Sequence, residues 1–83
     1  MINEREVIYR AEIIQGDINY FIRYKNNLSK HLVQNSKEMN KKNMLKFIKE
    51  IESIILHIEK LKTEKKNYLT LLDKIYYGNN SST

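Results

Sequence analysis

The chain has 83 residues, a formal net charge of +5 and neither cysteine nor proline. A chain of this length forms one small domain with a thin core, and without cysteine that core has no disulfide or thiolate-bound zinc to reinforce it. Glycine occurs only at Gly16 and Gly78, so almost nothing interrupts a helix between those positions. The composition therefore predicts an all-α protein.

No apolar stretch approaches the roughly 18 to 20 residues that a membrane span requires. The opening residues MINEREVIYR carry charges at Glu4, Arg5 and Glu6, where a secretory leader has an apolar core. We therefore expect a cytoplasmic protein without membrane contact.

An apolar stripe with alternating spacings of four and three predicts the first helix. Asn3 is a suitable N-cap, and Glu4 and Glu6 in the first turn suit the positive end of the helix dipole. We expect this helix over residues 3–34. The stripe consists of Val7, Ala11, Ile14, Ile18, Phe21, Lys25, Leu28 and Leu32.

A second stripe with the same spacing predicts a second helix over residues 37–77, after a turn at residues 35–37. Gly78 is suited to end this helix. The single domain then covers residues 1–78, and residues 79–83 form a disordered tail. The second stripe consists of Phe47, Ile51, Ile54, Ile58, Leu61, Lys65, Tyr68, Leu72 and Ile75.

Polar residues crowd the segment LKTEKKN at residues 61–67, where Thr63 is able to cap a new helix. A break there produces a third short helix from about residue 64. Lys, Glu and Leu are good helix formers and neither Gly nor Pro intervenes, so an unbroken second helix is the favoured interpretation.

Two long helices joined by a short turn fold back antiparallel. A turn at residues 35 and 36 pairs residues whose numbers sum to about 71, and the second helix then projects roughly 14 Å beyond the first. We expect the projecting segment to pack against a second subunit. It carries Tyr68, Leu69, Leu72, Ile75 and Tyr76.

Both helices carry more apolar surface than one neighbour covers. On the first helix, Tyr9, Ile13, Gly16, Tyr20 and Arg23 follow helical spacing opposite the stripe. We predict that the hairpin self-associates into a coiled-coil-like bundle, with Ile13 and Gly16 in the interface. Gly16 either permits close approach of a partner or is tolerated at about 1 kcal/mol relative to Ala. The second helix is widened by Met44, Leu45, Ile48, Ile55 and Leu56.

A polar and aromatic set on the first helix is the candidate binding site for a ligand or partner. Arginine binds phosphate and tyrosine stacks on bases, which suits a nucleotide or single-stranded nucleic acid. Tyr and Arg are also enriched at protein interfaces, and this second interpretation is favoured. The set consists of Tyr9, Arg10, Tyr20, Arg23, Tyr24 and Lys25.

The positive charge lies mostly on the second half of the chain, where residues 35–83 carry ten Lys or Arg against six acids. Such lysines suit a nucleic-acid backbone, but interleaved glutamates favour a solvated surface. Lys25 and Lys65 differ because they fall on the stripes, where a lysine snorkels, pairs with a carboxylate or specifies register. The candidate lysines for a nucleic-acid backbone are Lys41, Lys42, Lys46 and Lys49 near the turn and Lys60, Lys62, Lys65 and Lys66 further along.

The sequence contains no arrangement that predicts catalysis. It has no glycine-rich phosphate-binding loop and no strand or turn that presents a serine nucleophile. His31 and His57 are too far apart to share a metal ion within one hairpin. We therefore expect no enzyme, no cofactor and no metal site.

The sequence predicts a non-enzymatic, oligomeric helical protein that acts stoichiometrically on a protein partner. Small size and abundant Ile, Lys, Asn and Tyr, whose codons are AT-rich, are typical of a phage or mobile-element regulator, including an inhibitor of a host system that works in the host cytoplasm. One alternative is a nucleotide-sequestering or nucleic-acid-binding helical protein. Another is a structural coiled-coil adaptor.

Overall fold

The computed structural model describes residues 3–78, which form two long helices packed antiparallel. Helix α1 spans Glu4–Asn35 and helix α2 spans Lys41–Gly78. Together they make a rod of 67 × 17 × 15 Å. The predicted all-α helical hairpin is confirmed, and within the described range neither helix is long and apolar enough to cross a membrane. The predicted tail at 79–83 lies outside the described residues.

Asn3 caps α1 as its position in the sequence predicts. Its side-chain oxygen accepts a hydrogen bond from the Glu6 amide at 2.9 Å, and its carbonyl accepts from the Val7 amide at 3.1 Å. At the other end, the side-chain amide of Asn35 donates to the His31 carbonyl at 2.9 Å. Polar side chains therefore satisfy backbone groups at both ends of α1.

The connection between the helices is longer than the turn predicted at 35–37. The amides of Glu38 and Met39 both donate to the Asn35 carbonyl at 3.0 Å, which prolongs the turn. Asn40 then caps α2, since its side-chain oxygen accepts from the Asn43 amide at 2.8 Å. Helix α2 therefore begins at Lys41 and not at residue 37.

Helix α2 is continuous through the polar segment at residues 61–67. The Thr63 hydroxyl donates to the Glu59 carbonyl one turn earlier at 3.1 Å, so the side chain bonds within the helix and does not cap a new one. The favoured prediction of an unbroken second helix is confirmed.

The two predicted stripes face each other along the rod. Phe21, Leu28 and Tyr68 on these stripes are half-buried and pack against the core. Lys25 and Lys65 on the same stripes are also half-buried, and Lys65 donates to the side-chain oxygen of Gln15. The core is thin, as the chain length predicts. Its buried residues are Val7, Ala11, Ile14, Ile18, Ile54, Ile58 and Leu61.

The pairing register differs from the predicted one. Phe21 contacts His57 and His31 contacts Phe47, two pairs whose residue numbers sum to 78. The predicted sum of about 71 was wrong because the turn occupies residues 36–40, so its midpoint lies further along the chain.

The new register removes the predicted overhang. The hydroxyl of Tyr76 donates to the Glu4 carboxylate in the first turn of α1, so the two helices end nearly level. Leu72 and Ile75 are half-buried. The apolar segment near the end of α2 therefore packs on its own α1, and the prediction that it projects roughly 14 Å was wrong.

Candidate interaction surfaces

The hairpin leaves two apolar flanks uncovered, one on each side of the plane that contains both helices. Residues seven apart on a helix lie on the same face, which extends each flank along the rod. The isoleucine flank is defined by Ile8, Ile22, Ile48, Ile55 and Leu69. The tyrosine flank is defined by Tyr9, Ile13, Tyr20 and Tyr24.

Contacts between the helices assign each flank to its side. Ile8 of α1 and Leu69 of α2 line one depression, which places them on the same side of the rod. Ile13 of α1 and Glu64 of α2 line a different depression. The two flanks are therefore distinct surfaces. The isoleucine flank is built from both helices, whereas the residues that define the tyrosine flank all belong to α1.

Stacked rings order the tyrosine flank. The Tyr20 ring stacks on Tyr24 with centroids 6.5 Å apart and packs against the edge of Phe21 at 5.2 Å. Phe21 in turn packs edge-to-face with His57 of α2 at 4.6 Å. Tyr20 itself stays 61% exposed. The flank therefore presents an exposed aromatic surface whose rings are ordered by contacts within the hairpin.

Tyr24 joins this flank to α2 through a hydrogen bond. Its hydroxyl donates to the Glu50 carboxylate at 2.9 Å. This bond, with the negative charge of Glu50, raises the pKa of Tyr24, because ionisation would lose the bond and bring two negative charges together. A hydrogen bond to the Glu4 carboxylate likewise raises the pKa of Tyr76, at the end of the rod opposite the turn.

Arg10 is engaged within the hairpin. It donates to the Glu6 carboxylate at 2.8 Å and to the Tyr68 hydroxyl at 3.3 Å. The Tyr68 bond first and the Glu6 bond second raise the pKa of Arg10. Arg10 thus connects α1 to α2, and part of its guanidinium is already in use.

The structure spreads the six predicted binding residues along the rod. Tyr20 and Tyr24 are brought together, whereas Tyr9 lies about 22 Å from Tyr24 along α1. Lys25 is half-buried between the helices, while Arg23 is exposed. A single hairpin therefore does not bring this set together around one phosphate group.

The predicted interface residues divide between the two flanks and the core. Ile13 and Leu69 are exposed on opposite flanks, whereas Tyr68 is half-buried. Gly16 is exposed, and a Cβ added there would meet no atom within 4 Å. The hairpin itself therefore does not require glycine at this position.

A polar pair divides the isoleucine flank. The depression beside Ile8 and Leu69 also contains Gln15, Lys65 and Glu12, and Lys65 donates to Gln15 there. The heptad spacing that joins the apolar residues of α2 was visible in the sequence. Lys62 interrupts this spacing between Ile55 and Leu69. The position of Ile8 beside Leu69 follows only from the observed register.

The net charge is concentrated at the turn end of the rod. Residues 30–49 carry six lysines and one glutamate, whereas the rest of the chain carries nine basic and nine acidic residues. The six lysines are all exposed, and within residues 3–78 none of them forms an ion pair. The positive end of the α2 dipole lies among them. A count of charge over residues 35–83 does not reveal this cluster, because Lys30 belongs to the first half of the sequence. Folding brings Lys30 level with Lys49.

The two histidines occupy separate aromatic contacts. His31 lies 5.3 Å from Phe47 near the turn, and His57 contacts Phe21 near the middle of the rod. Among residues 3–78 no three His, Cys, Asp or Glu side chains are grouped as metal ligands would be. The histidines therefore contribute to packing between the helices.

Comparisons of the chain with protein-family models, with curated proteins and with solved structures found no match.

Proposed function

We propose that this protein is a non-enzymatic interaction module that self-associates and binds a protein partner stoichiometrically. The observation that supports this proposal is the imbalance between core and surface. Among residues 3–78, seven apolar side chains are buried, whereas thirteen large apolar side chains remain exposed. Exposed apolar surface that is arranged in continuous rows is typical of interaction sites.

The two flanks suit different kinds of contact. The isoleucine flank is aliphatic and suits a permanent interface, as found between subunits. The tyrosine flank combines apolar rings with hydroxyl groups that water can solvate when no partner is bound. Stacking holds Tyr20 and Tyr24 in place, so a partner that binds them does not have to order them. We assign self-association to the first flank and partner binding to the second.

The proposed biological role follows the composition of the chain. A small, stoichiometric binding protein that is rich in amino acids with AT-rich codons suits a phage or mobile element, and its partner would be a host protein in the cytoplasm. In this role the module inhibits or modulates its partner by occupying a surface, since no catalytic step is required.

The test uses purification of the tagged chain from its own host, followed by native mass spectrometry. We expect a protein partner in a fixed ratio with the wild type and with Lys60→Ala, an exposed change outside the tyrosine flank. The double variant Tyr9→Ala/Tyr20→Ala is expected to lose it. The proposal is contradicted if the double variant retains the partner, or if every variant carries only a small anionic ligand. Assembly without any partner would instead support the structural adaptor.

A second candidate function is supported by the turn end of the rod. Six exposed lysines form no ion pair with any residue of the described range 3–78, and they lie beside the positive end of α2. They form a surface that suits a nucleic-acid backbone. Binding of this kind releases counterions, so the affinity falls steeply as salt rises.

Fluorescence anisotropy with a labelled oligonucleotide tests this second candidate. We expect Lys41→Gln/Lys42→Gln/Lys46→Gln to weaken binding by about tenfold or more and to flatten the salt dependence. The control, Lys60→Gln/Lys62→Gln/Lys66→Gln, removes equal charge elsewhere on α2. Equal losses from both triple variants would show that the turn end is not a specific site.

A further inference from the structure

We infer that a second copy of this chain packs antiparallel on the isoleucine flank, related by a two-fold axis that passes level with Gln15 and Lys62. This inference rests on the proposed self-association and identifies the surface and the arrangement that produce it. It is carried by the spacing of residues along the flank and by the distribution of charge on the rod.

The isoleucine flank is layered. Residues of the two helices lie level when their numbers sum to about 78, as Phe21 and His57 do. The pairs Ile8 with Leu69 and Ile22 with Ile55 each sum to 77, so the two residues of each pair lie level. Midway between these apolar layers lies a polar layer that contains Gln15 and, level with it on α2, Lys62, and Lys65 one turn further along α2 donates to Gln15. Successive layers are about 10 Å apart, the rise of seven helical residues.

An antiparallel copy matches these layers when the axis passes through the polar one. Each apolar side chain then meets an apolar side chain of the other copy, and the polar layer meets itself. A slip of one heptad would place Gln15 and Lys62 against apolar layers, so the polar layer fixes the register. The predicted pairs are Ile8 with Ile22, Ile55 with Leu69, Ile48 with Tyr76, and Gln15 and Lys62 each with its own copy.

Charges at the edge of the flank agree with this arrangement. Lys62 is 3.7 Å from Glu59 in its own chain. In the antiparallel pair, Glu59 of one copy lies level with Lys65 and Lys66 of the other. The two Lys62 side chains at the axis are therefore accompanied by two carboxylates, which reduces their mutual repulsion.

The charged turn end favours the antiparallel pair over the alternative in which the two hairpins run parallel. Residues 30–49 of each copy carry a net charge of +5, the whole net charge of the chain. A parallel pair would bring two such ends together, whereas the antiparallel pair places them at opposite ends of the assembly. Over the length of the rod, that separation is several Debye lengths at physiological salt.

The available area fits a second copy. One face of the rod measures 67 by 17 Å, about 1,100 Å², and a standard protein interface buries about 800 Å² on each partner. The tyrosine flank is a poorer surface for self-association, because its rings carry hydroxyl groups and Glu50 and Glu64 lie beside it. In a symmetric pair those carboxylates would face carboxylates.

Disulfide formation tests the arrangement, because the chain contains no cysteine of its own. Lys62→Cys lies at the proposed axis, and Lys60→Cys is an exposed control on the other side of α2. We expect mild oxidation to convert most of Lys62→Cys into a covalent dimer and to leave Lys60→Cys uncoupled on a non-reducing gel. A mixture of Ile55→Cys and Leu69→Cys is expected to form the mixed disulfide in preference to either self-disulfide.

The outcomes separate this inference from the function on which it rests. A wild-type chain that is monomeric by light scattering at micromolar concentration overturns the proposed self-association itself. An oligomeric wild type in which Lys62→Cys fails to couple overturns the choice of flank or axis only. A parallel pair would place Lys62 over α1 of the other copy, so coupling of Lys62→Cys with Gln15→Cys, without self-coupling of Lys62→Cys, identifies that arrangement.

Discussion

The two flanks lie on opposite sides of the same hairpin, yet they differ in what they can contact. On the isoleucine flank, Ile55 and Leu69 are 43% and 44% exposed and carry no polar atom beyond the backbone. On the tyrosine flank, Tyr9 and Tyr20 are 63% and 61% exposed, and each ends in a hydroxyl group. One surface therefore gains free energy when another apolar surface covers it, whereas the other also presents hydroxyl groups to solvent.

This difference follows from the thin core of a two-helix hairpin. A hairpin has a single interhelical stripe, so any apolar residue beside that stripe remains available for an outside partner. When such residues are aliphatic and spaced by seven, they favour a second long helix pair. When such residues are aromatic and carry hydroxyl groups, they favour a transient partner.

The largest expected effect comes from breaking the isoleucine flank. We predict that Ile55→Gln/Leu69→Gln weakens self-association by about 100-fold, because each substitution removes an apolar contact worth about tenfold in the dissociation constant. The matched control is Leu56→Gln on the outer face of α2, where Leu56 is 69% exposed. Sedimentation equilibrium measures both constants. Equal weakening by the control would mean that the flank has no special part in assembly.

A smaller effect is expected from the polar layer that divides the same flank. Lys65→Met replaces the cation by an apolar side chain of similar length, and we predict a gain of about 1 to 2 kcal/mol in stability. Because Lys65 donates to Gln15 in the polar layer, its loss is also expected to bring mixed registers, seen as a lower yield of the Lys62→Cys disulfide in this background. Lys60→Met is the control. An unchanged yield with unchanged stability would show that Lys65 does not set the register.

A substitution at Gly16, which lies away from the isoleucine flank, tests whether the flanks are assigned correctly. We predict that Gly16→Ala stabilises the helix by about 0.5 to 1 kcal/mol, because an added Cβ meets no atom within 4 Å. Denaturant unfolding measures this change. Self-association is expected to stay the same, since Gly16 lies away from the isoleucine flank. Loss of assembly in this variant would show that a second copy approaches Gly16 closely and that the flanks are wrongly assigned.

The smallest expected effect is a pH dependence confined to the tyrosine flank. Because the bond to Glu50 raises the pKa of Tyr24 in the folded chain, its contribution is present below the ordinary tyrosine pKa of about 10 and is lost as pH rises through the raised pKa. Tyr24→Phe is therefore expected to lower the denaturant midpoint near neutral pH and to have less effect at strongly alkaline pH. Tyr9→Phe, on the same flank, is the control. A deficit that persists in alkali would exclude the hydrogen bond as its cause.

Most of the helical architecture could be predicted from the sequence because it depends on local periodicity. The stripes from Val7 to Leu32 and from Phe47 to Ile75 are buried or half-buried as their spacing predicts. The Asn3 cap follows from one residue and its neighbours. Continuity of α2 through Thr63 follows from helix propensity alone.

The register could not be predicted in the same way, because it depends on how the turn closes. Ser36 and Asn40 are both suitable caps, and the choice between them rests on hydrogen bonds from Glu38 and Met39 to the Asn35 carbonyl. That choice moved every pairing along the rod and removed the expected overhang. It also determined which residues of the two helices lie level on each flank, so the sequence revealed the apolar excess but not the layers in which it is arranged.

Sedimentation equilibrium of the wild-type chain, over a range of protein concentrations, tests most directly whether the hairpin functions as an assembly. The hairpin alone leaves the isoleucine flank exposed, so we predict a mass of at least twice the 10.0 kDa of one chain at micromolar concentration. A well-folded species of 10.0 kDa that persists at the highest concentration would contradict the proposed self-association.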